Sequence, residues 1–250
     1  MSVSDPAKDS VPGAQARVTA LLRERLLAGE WTSSGRLPAE RVLAEEVGVS
    51  RLTLRGALSQ LTAEGLVRAR RGSGIEVLDP SRSASLDLFS WLLDGAGGEG
   101  LRTFGLFTEI VHLRRLVAVD TVLRAAERAE EAQVLDLEEL AAQQSSRVDD
   151  PAAYMAGDAE IQRRVIRISG STAVELLFNS FQRVLDRHRE LTLSFMGPLE
   201  EHVATYAALH AVLRHPRPAE LRDMAEAAQD MIERDGLERV RIWCTEREGA

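Results

Sequence analysis

The stretch from Pro38 to Leu61 constrains the fold of this chain more than any other part of it. In residues 51–61 the apolar side chains recur at three- and four-residue spacing, which predicts a short helix with one apolar face. Ser50 stands directly before this helix, where an N-cap residue is favoured. Residues 38–47 predict a partner helix, and Gly48 predicts a turn between the two. Helix, glycine turn and helix in this order predict a helix-turn-helix.

The beginning of the second helix carries side chains that suit the major groove of DNA. Arg51 and Arg55 can each donate two hydrogen bonds to guanine, and Thr53 can contact bases or phosphates. One recognition helix reads few base pairs, and domains of this kind read palindromes as two-fold dimers. We therefore expect double-stranded operator DNA as a partner and a homodimer as the binding form.

The charge of the chain is divided unevenly along the sequence. The net charge is −8 over 250 residues, which taken as a whole argues against nucleic acid. Residues 1–80 hold 11 Lys and Arg against 10 Asp and Glu, whereas residues 81–250 hold 20 against 29. Five arginines lie in residues 51–72, against one acidic residue, Glu64. Positive charge concentrated around the predicted recognition helix is what phosphate binding requires.

Residues 66–77 predict a small wing after the helix-turn-helix. Residues 66–70 and 75–77 alternate in polarity like two strands, and a glycine-rich turn at residues 71–74 joins them. Arg70 and Arg71 stand near the tip, where we expect contact with phosphate or the minor groove. The alternative is an ordinary hairpin whose arginines face water.

Beyond the wing the sequence predicts helices and no strands. The expected fold is mainly α, with an N-terminal winged helix-turn-helix that has a small β-hairpin wing and a C-terminal all-α helical bundle. The predicted organisation is a disordered tail (1–10), a DNA-binding domain (11–78), a polar linker (79–85) and the bundle (86–245). The predicted helices of the bundle are 86–93, 104–129, 131–145, 152–168, 173–193, 199–213 and 219–233.

Cysteine content and hydropathy bear on the compartment. Cys244 is the one cysteine in the sequence, so the chain can form no intramolecular disulfide. No apolar run approaches the length of a membrane span, and the N-terminus lacks the apolar core of a signal peptide. We expect a soluble cytoplasmic protein with no membrane partner.

Five segments of the first 80 residues carry a resemblance to a known family: Leu37–Ala44, Gly48–Arg51, Arg55, Glu64–Val67 and Arg71–Gly74. They resemble the winged helix-turn-helix of GntR-family regulators over about 40 positions in register. Two residues depart from the family pattern, because Leu52 stands where a small polar residue or proline is usual and Gly56 where glutamate is usual. The residues that the resemblance implies as DNA contacts are Arg41, Ser50, Arg51, Thr53, Arg55 and Gly72.

The helical region carries a looser resemblance, in residues 113–115, in residues 124–129 and in Asp158 followed by Ser169-Gly170. In these segments it is similar to the ligand-binding domain of the FadR-type branch of the same family. Many members of that branch bind a metal through an Asp, a His four residues later and two further His. Here Gln162 stands four residues after Asp158, and no pair of later histidines has the family spacing. A tight divalent site needs at least three good ligands, so we expect no metal and no cofactor.

This resemblance also implies a small acidic effector, either a long-chain acyl-CoA or a short carboxylate such as a sugar acid. A pocket without metal ligands relies on apolar helix faces and a few cationic groups, which favours acyl-CoA. The Arg114 guanidinium suits a carboxylate or phosphate, and its alternative is an ion pair at the surface. The alternatives for Asp158 and His188 are a paired carboxylate and a histidine satisfied in the core. The candidate effector residues are Arg114, Asp158, His188 and Tyr206.

Two other classes of function remain to be weighed. A helical bundle with scattered histidines could hold a metal hydrolase, but we find no nucleophile elbow, phosphate-binding loop, zinc-hydrolase signature or paired-carboxylate motif. An architectural DNA-binding protein would need no large acidic bundle. We therefore expect a transcriptional repressor whose DNA affinity is set by a ligand, and no enzyme.

Overall fold

The computed structural model describes residues 13–70, 74–95, 100–215 and 221–248. The chain divides into two compact units, with the division between Leu88 and Phe89. The described residues are mostly helical and contain one two-stranded sheet, so the mainly α expectation is confirmed. None of the described helices has the length and apolar character that a membrane span requires.

The first unit contains the predicted helices and hairpin. Its elements are α1 (Ala14–Leu27), α2 (Glu40–Glu46), α3 (Arg51–Ala63), β1 (Val67–Arg70), β2 (Gly74–Val77), α4 (Pro80–Ser83) and a 3-10 turn (Leu86–Leu88). The second unit is helical throughout its described part. Its elements are α5 (Phe89–Gly95), α6 (Gly100–Arg128), α7 (Glu131–Gln144), α8 (Pro151–Ser169), α9 (Thr172–Arg187), α10 (Arg189–Met196), α11 (Leu199–His202), α12 (Thr205–Leu213) and α13 (Arg222–Glu248).

In the helix-turn-helix, the turn residue, the N-cap residue and the apolar face that the sequence predicts are all found in the structure. Gly48 has a φ of 68°, which a residue with a side chain rarely adopts, and it turns the chain after α2. The Ser50 hydroxyl caps α3 by accepting a hydrogen bond from the amide of Thr53 at 3.1 Å. The apolar stripe of α3 is buried in the unit: Leu54, Ala57, Leu58 and Leu61.

A buried ion pair joins α1 to the end of α3. Arg23, which is 2% exposed, donates from Nε to Oε2 of Glu64 at 2.8 Å and from Nη2 to Oε1 at 2.5 Å. A bidentate pair fixes the relative orientation of its partners, and removal of either one leaves a buried charge. This contact therefore helps to hold α3 in position against α1.

Gly56 lies inside α3, where glycine costs about 1 kcal/mol of helix propensity relative to alanine. The structure gives a reason for this departure from the family pattern. A Cβ atom at this position would lie 2.4 Å from Oε1 of Gln15, a residue of α1. The missing side chain therefore leaves the space that Gln15 occupies against the recognition helix.

The hairpin and the stretch after it belong to the first unit. Val67 pairs with Val77 in the antiparallel register, and the amide of Leu37 donates to the carbonyl of Ile75 at 3.0 Å. Residues 79–85, expected as a polar linker, contain the short helix α4. The Ser83 hydroxyl donates to the carbonyl of Gly65 at 2.7 Å and fastens this stretch to the end of α3.

Helix α6 is the central element of the second unit, where it packs against α8, α12 and α13. Two predicted helices are divided in the structure. The stretch 173–193 forms α9 and α10, which meet at His188 with a non-helical φ of −104° and ψ of 52°. The stretch 199–213 forms α11 and α12.

The last helix was predicted too short. Helix α13 continues to Glu248, past the expected end at residue 233. Gly236 weakens the helix signal in the sequence, but a Cβ atom there would lie 2.5 Å from the ring of Phe195. Glycine thus allows the aromatic ring to pack closely on α13, and packing outweighs the lower helix propensity.

Candidate functional site

The N-terminal end of α3 presents polar and cationic groups at the surface of the first unit. The hydroxyls of Ser50 and Thr53 lie 2.9 Å apart, which orients both at the start of the helix. Arg51 is exposed, and no ion pair joins it to another residue in the described part of the chain. Its guanidinium is therefore available to an external acceptor.

Arg55 and Arg41 are held by glutamates of α2. Arg55 donates from Nε to Oε2 of Glu40 at 2.8 Å, which brings the beginning of α2 beside α3. Arg41 donates to Oε1 of Glu45 at 2.8 Å along the same helix. Exposed ion pairs of this kind are worth about 0–1 kcal/mol, so a phosphate can replace the glutamate at little cost.

Of the two wing arginines predicted to contact DNA, Arg70 lies within the described residues. Arg70 lies at the end of β1, and its Nε is 2.8 Å from Oε2 of Glu76 on the neighbouring strand. Arg71 and Gly72, the other predicted contacts of the wing, lie outside the described residues.

The second unit contains a cavity of about 300 Å³ that is lined by residues of α6 and of α8 to α13. Three of the predicted effector residues line it together: Arg114 from α6, Asp158 from α8 and Tyr206 from α12. The remaining lining is largely apolar. It includes Phe107, Val111, Ile161, Val165, Phe178, Phe181, Phe195, Leu209 and Ile232.

The polar groups of this cavity form a network that we call the polar corner, made of Arg114, Asp158, Gln162, His202 and Tyr206. Arg114 donates from Nη2 to Oε1 of Gln162 at 3.1 Å. Gln162 donates from Nε2 to Oδ2 of Asp158 at 2.5 Å, and Tyr206 donates to Oδ1 at 2.8 Å. The Gln162 amide thus bridges the other two side chains: its oxygen accepts from the guanidinium of Arg114, and its nitrogen donates to the carboxylate of Asp158.

Buried groups behind the polar corner fix its orientation. Gln144 is fully buried and donates to the carbonyl of Tyr154 at 2.9 Å. The Tyr154 hydroxyl lies 2.9 Å from Nδ1 of His202. A Cβ atom at Gly157 would lie 2.1 Å from Oε1 of Gln144, so glycine at that position lets α7 approach α8.

Burial controls the ionisation of the polar corner. Desolvation lowers the pKa of His202 below its ordinary value of 6.5, although the nearby charge of Asp158 opposes this shift. Burial raises the pKa of Tyr206, and the charge of Asp158 raises it further. Burial also raises the pKa of Tyr154 to about 12. At neutral pH the imidazole is therefore uncharged, and both phenols keep their protons.

His188 is not part of this cavity. Its Nε2 lies 3.0 Å from the carbonyl oxygen of Ser90 and 3.7 Å from the carboxylate of Asp94, beside a separate cleft. Its sequence phase with Phe178 and Phe181 predicted a common face, but that phase holds only while the helix continues. Because α9 ends at Arg187, His188 faces elsewhere.

Gln162 and His202 belong to the polar corner but were not among the predicted effector residues. Gln162 stands one helical turn after Asp158, a spacing that places two side chains on one face of α8. His202 stands four residues before Tyr206, and this spacing was the available signal. Because α11 ends at His202 and α12 begins at Thr205, the two residues do not lie on one continuous helix, and helical spacing alone does not place them together.

The polar corner does not fit a tightly bound divalent metal. It offers one carboxylate and one imidazole, and both carboxylate oxygens already accept hydrogen bonds. Among the described residues, no group of three or more His, Cys, Asp and Glu side chains is arranged so that it could hold a metal ion. Tight sites for zinc or nickel need at least three such ligands, so the donor set favours recognition by hydrogen bonds.

Two family models match the chain. Residues 14–77 match that of the bacterial regulatory proteins of the gntR family. Residues 109–230 match that of the FCD domain. The first match contains the helix-turn-helix with its wing, and the second contains all five residues of the polar corner.

Individual relatives agree with these matches. The HTH-type transcriptional regulator Mce2R of Mycobacterium tuberculosis is 29% identical over 208 residues, which cover 83% of this chain and 84% of that protein. The Uxu operon transcriptional regulator of Escherichia coli is 43% identical over 70 residues, 28% of this chain and 27% of that protein. A solved structure reported with the finding that Lar controls the expression of the Listeria monocytogenes agr system has a TM-score of 0.53 at 17% identity, with 93% of this chain and 98% of that chain covered. This last likeness supports the fold.

Proposed function

The chain belongs to the GntR family of bacterial regulatory proteins and carries an FCD domain, and from this premise we propose that it is a transcriptional repressor which an acidic metabolite releases from DNA. In this proposal residues 11–78 bind DNA and residues 86–245 bind the effector and form the dimer, with residues 79–85 between them. The protein acts in the cytoplasm on a palindromic operator and does not transform its effector.

The DNA-binding half of the proposal rests on the capped N-terminal end of α3. Arg51 is exposed there without an ion pair to any described residue, and Thr53 and Arg55 lie within the next turn. Side chains at this end of a recognition helix reach base edges in the major groove. We assign base reading to Arg51, and phosphate contact to Arg41, Ser50, Thr53, Arg55 and Arg70. The proposal also includes Arg71 and Gly72 as DNA contacts.

Selection of operator sequences from random DNA with the full chain tests this half. Arg51→Ala is expected to lose roughly 1–3 kcal/mol of binding free energy and the preference at one base pair of each half-site. Arg55→Ala is expected to weaken all sequences alike and to reduce the salt dependence. Arg124→Ala, in the second unit, is the control, and the recognition-helix assignment is wrong if both variants bind like the control.

The dimer follows from the geometry of operators. Two copies related by a two-fold axis place two recognition helices on one face of DNA, about one helical turn apart. Sedimentation at micromolar concentration should therefore find two chains per particle, both free and on a palindromic duplex. A monomer under both conditions would contradict the proposal.

The effector half rests on the polar corner at one end of an apolar cavity. Arg114 already holds the carboxamide oxygen of Gln162 at 3.1 Å, and a carboxylate is a stronger partner for the same guanidinium. An incoming acid can therefore displace Gln162 from Arg114 while its apolar body lies against the phenylalanines. Asp158 holds the displaced amide through its existing hydrogen bond from Nε2 of Gln162, and the Tyr206 hydroxyl holds Asp158 in place.

Between the two classes of acid we favour a long-chain acyl-CoA, because most of the lining is apolar. A volume of about 300 Å³ is at the lower end of the range for ligand cavities. The acyl chain therefore occupies the cavity and its thioester carbonyl oxygen takes the place of the Gln162 oxygen on Arg114, while the charged nucleotide of coenzyme A remains outside the cavity. The alternative is a short carboxylate or sugar acid enclosed entirely at the polar corner.

A thermal-shift panel distinguishes these effectors, since any ligand of the native state raises the melting temperature by mass action. The panel contains C4 dicarboxylates, sugar acids, free fatty acids and acyl-CoAs of increasing length. Stabilisation by acyl-CoAs that grows with chain length and is lost in Arg114→Ala, but kept in Arg124→Ala, is the expected result. Stabilisation by sugar acids or dicarboxylates only would replace the acyl-CoA proposal with the alternative.

We propose that the site works without a metal and without turnover. Elemental analysis of protein purified without a chelating resin should find less than one equivalent of zinc, nickel or manganese per chain. The effector should be recovered unchanged after incubation with the protein. A full equivalent of metal that Asp158→Ala removes, or conversion of the effector, would contradict this part of the proposal.

A further inference from the structure

Leu52 has no structural role in the first unit. Its side chain is 82% exposed, the highest value among the large apolar side chains that the structure describes. It follows Arg51 in the first turn of α3, whereas the buried stripe of that helix begins at Leu54. Burial in the unit therefore does not explain an apolar residue at this position.

The geometry of α3 directs this side chain toward the end that faces DNA. Long side chains of a helix lean toward its N-terminus, so Leu52 extends over the turn that Ser50 caps. The residue one turn later on the same face is Gly56, which has no side chain to cover it. Leu52 thus stands uncovered between two predicted DNA contacts, Arg51 and Thr53.

The chemistry of a leucine side chain restricts what it can recognise on DNA. It has no hydrogen-bond donor or acceptor, so it cannot read the polar groups of the base edges. The apolar group that unmodified base pairs present in the major groove is the C5-methyl group of thymine. We propose that Leu52 reads a thymine in each half-site by packing against that methyl group. This inference rests on the proposed entry of α3 into the major groove.

The test uses deoxyuridine, which differs from thymidine by loss of the C5-methyl group. Each thymine of a selected operator is replaced singly in both half-sites, and the dissociation constants are measured for the parent chain and for Leu52→Ala. Loss of one buried methyl group per half-site corresponds to about a fourfold weaker interaction at each. We expect one thymine position where replacement in both half-sites weakens binding of the parent by about fifteenfold, the product of the two half-site effects, and leaves Leu52→Ala unaffected.

Two controls separate failure of this inference from failure of the proposed function. Leu21→Ala, at another exposed leucine of the same unit, should respond to deoxyuridine like the parent. Arg51→Ala should lose operator affinity. If Arg51→Ala loses affinity but no deoxyuridine position affects the parent, or if the effect persists in Leu52→Ala, the thymine assignment is wrong. If both Arg51→Ala and Arg55→Ala bind like the parent, the recognition helix itself is wrongly assigned, and the inference fails with it.

Discussion

At the scale of single residues, the arginines proposed to contact DNA differ in the ion pairs that they make in the structure without DNA. Arg55 must leave Glu40 to reach a phosphate, because its Nε donates to that carboxylate. We predict that Glu40→Gln raises operator affinity by up to about fivefold, the equivalent of one exposed ion pair. Competition titrations with the parent should measure this gain. The same substitution in an Arg55→Ala background should have no effect, and Glu24→Gln serves as the matched control.

A second prediction at this scale concerns His202. Because burial lowers its pKa below 6.5, the unfolded chain binds more protons than the folded one between the lowered pKa and 6.5. The contribution to stability is complete above pH 6.5 and is lost as the pH falls through the folded pKa. The groups that act on its titration are Tyr154, Asp158, Arg114 and Arg239.

Urea unfolding of the second unit across this range measures the effect. The free energy of unfolding of the parent should fall as the pH is lowered from 6.5, and His202→Gln should show a smaller fall. An equal fall in the two proteins would assign the dependence to other groups.

At the scale of elements, substitution of glycine by alanine should have opposite effects on stability at two positions. Gly56 lies inside α3, and Gly65 lies just after its end. A Cβ atom at Gly56 meets the far end of the flexible Gln15 side chain, which can shift. We predict that Gly56→Ala stabilises the first unit by about 0.5–1 kcal/mol through helix propensity. Gly65 has a φ of 76°, and its Cβ atom would lie 2.2 Å from the backbone oxygen of Ser83. Gly65→Ala should therefore destabilise by roughly 1–3 kcal/mol.

Urea titrations of both variants against the parent test this pair of opposite effects. Destabilisation by Gly56→Ala would mean that steric overlap with the Gln15 side chain costs more free energy than the helix propensity of alanine contributes. Adding Gln15→Ala to Gly56→Ala should then restore the stability.

At the scale of the whole molecule, regulation requires that the effector and DNA influence each other through the same chain. A ligand that prefers the form with low DNA affinity weakens operator binding by its differential affinity for the two forms. Operator DNA must weaken ligand binding by the same factor. Two pairs of calorimetric titrations measure this factor independently: the acid that gives the largest thermal shift, titrated with and without saturating operator duplex, and the duplex, titrated with and without saturating acid.

The two factors have to agree for the parent, and both should approach one in Arg114→Ala. Equal effector affinity with and without DNA would exclude regulation by this ligand, however tightly it binds.

The sequence by itself determined the helix-turn-helix, because its signals are local: the Gly48 turn, the Ser50 cap and an apolar stripe of helical period. It also predicted that the second unit is helical and named Arg114, Asp158, His188 and Tyr206 as its candidate effector residues. The tertiary structure decided which of these side chains meet. In the polar corner, hydrogen bonds join α6 to α8 and α8 to α12 through residues that are 48 positions apart. His188 is excluded from it because the helix ends one residue before it. Periodicity describes one face of one helix, whereas a cavity is formed by the packing of several helices, and that packing depends on side chains distant in the sequence.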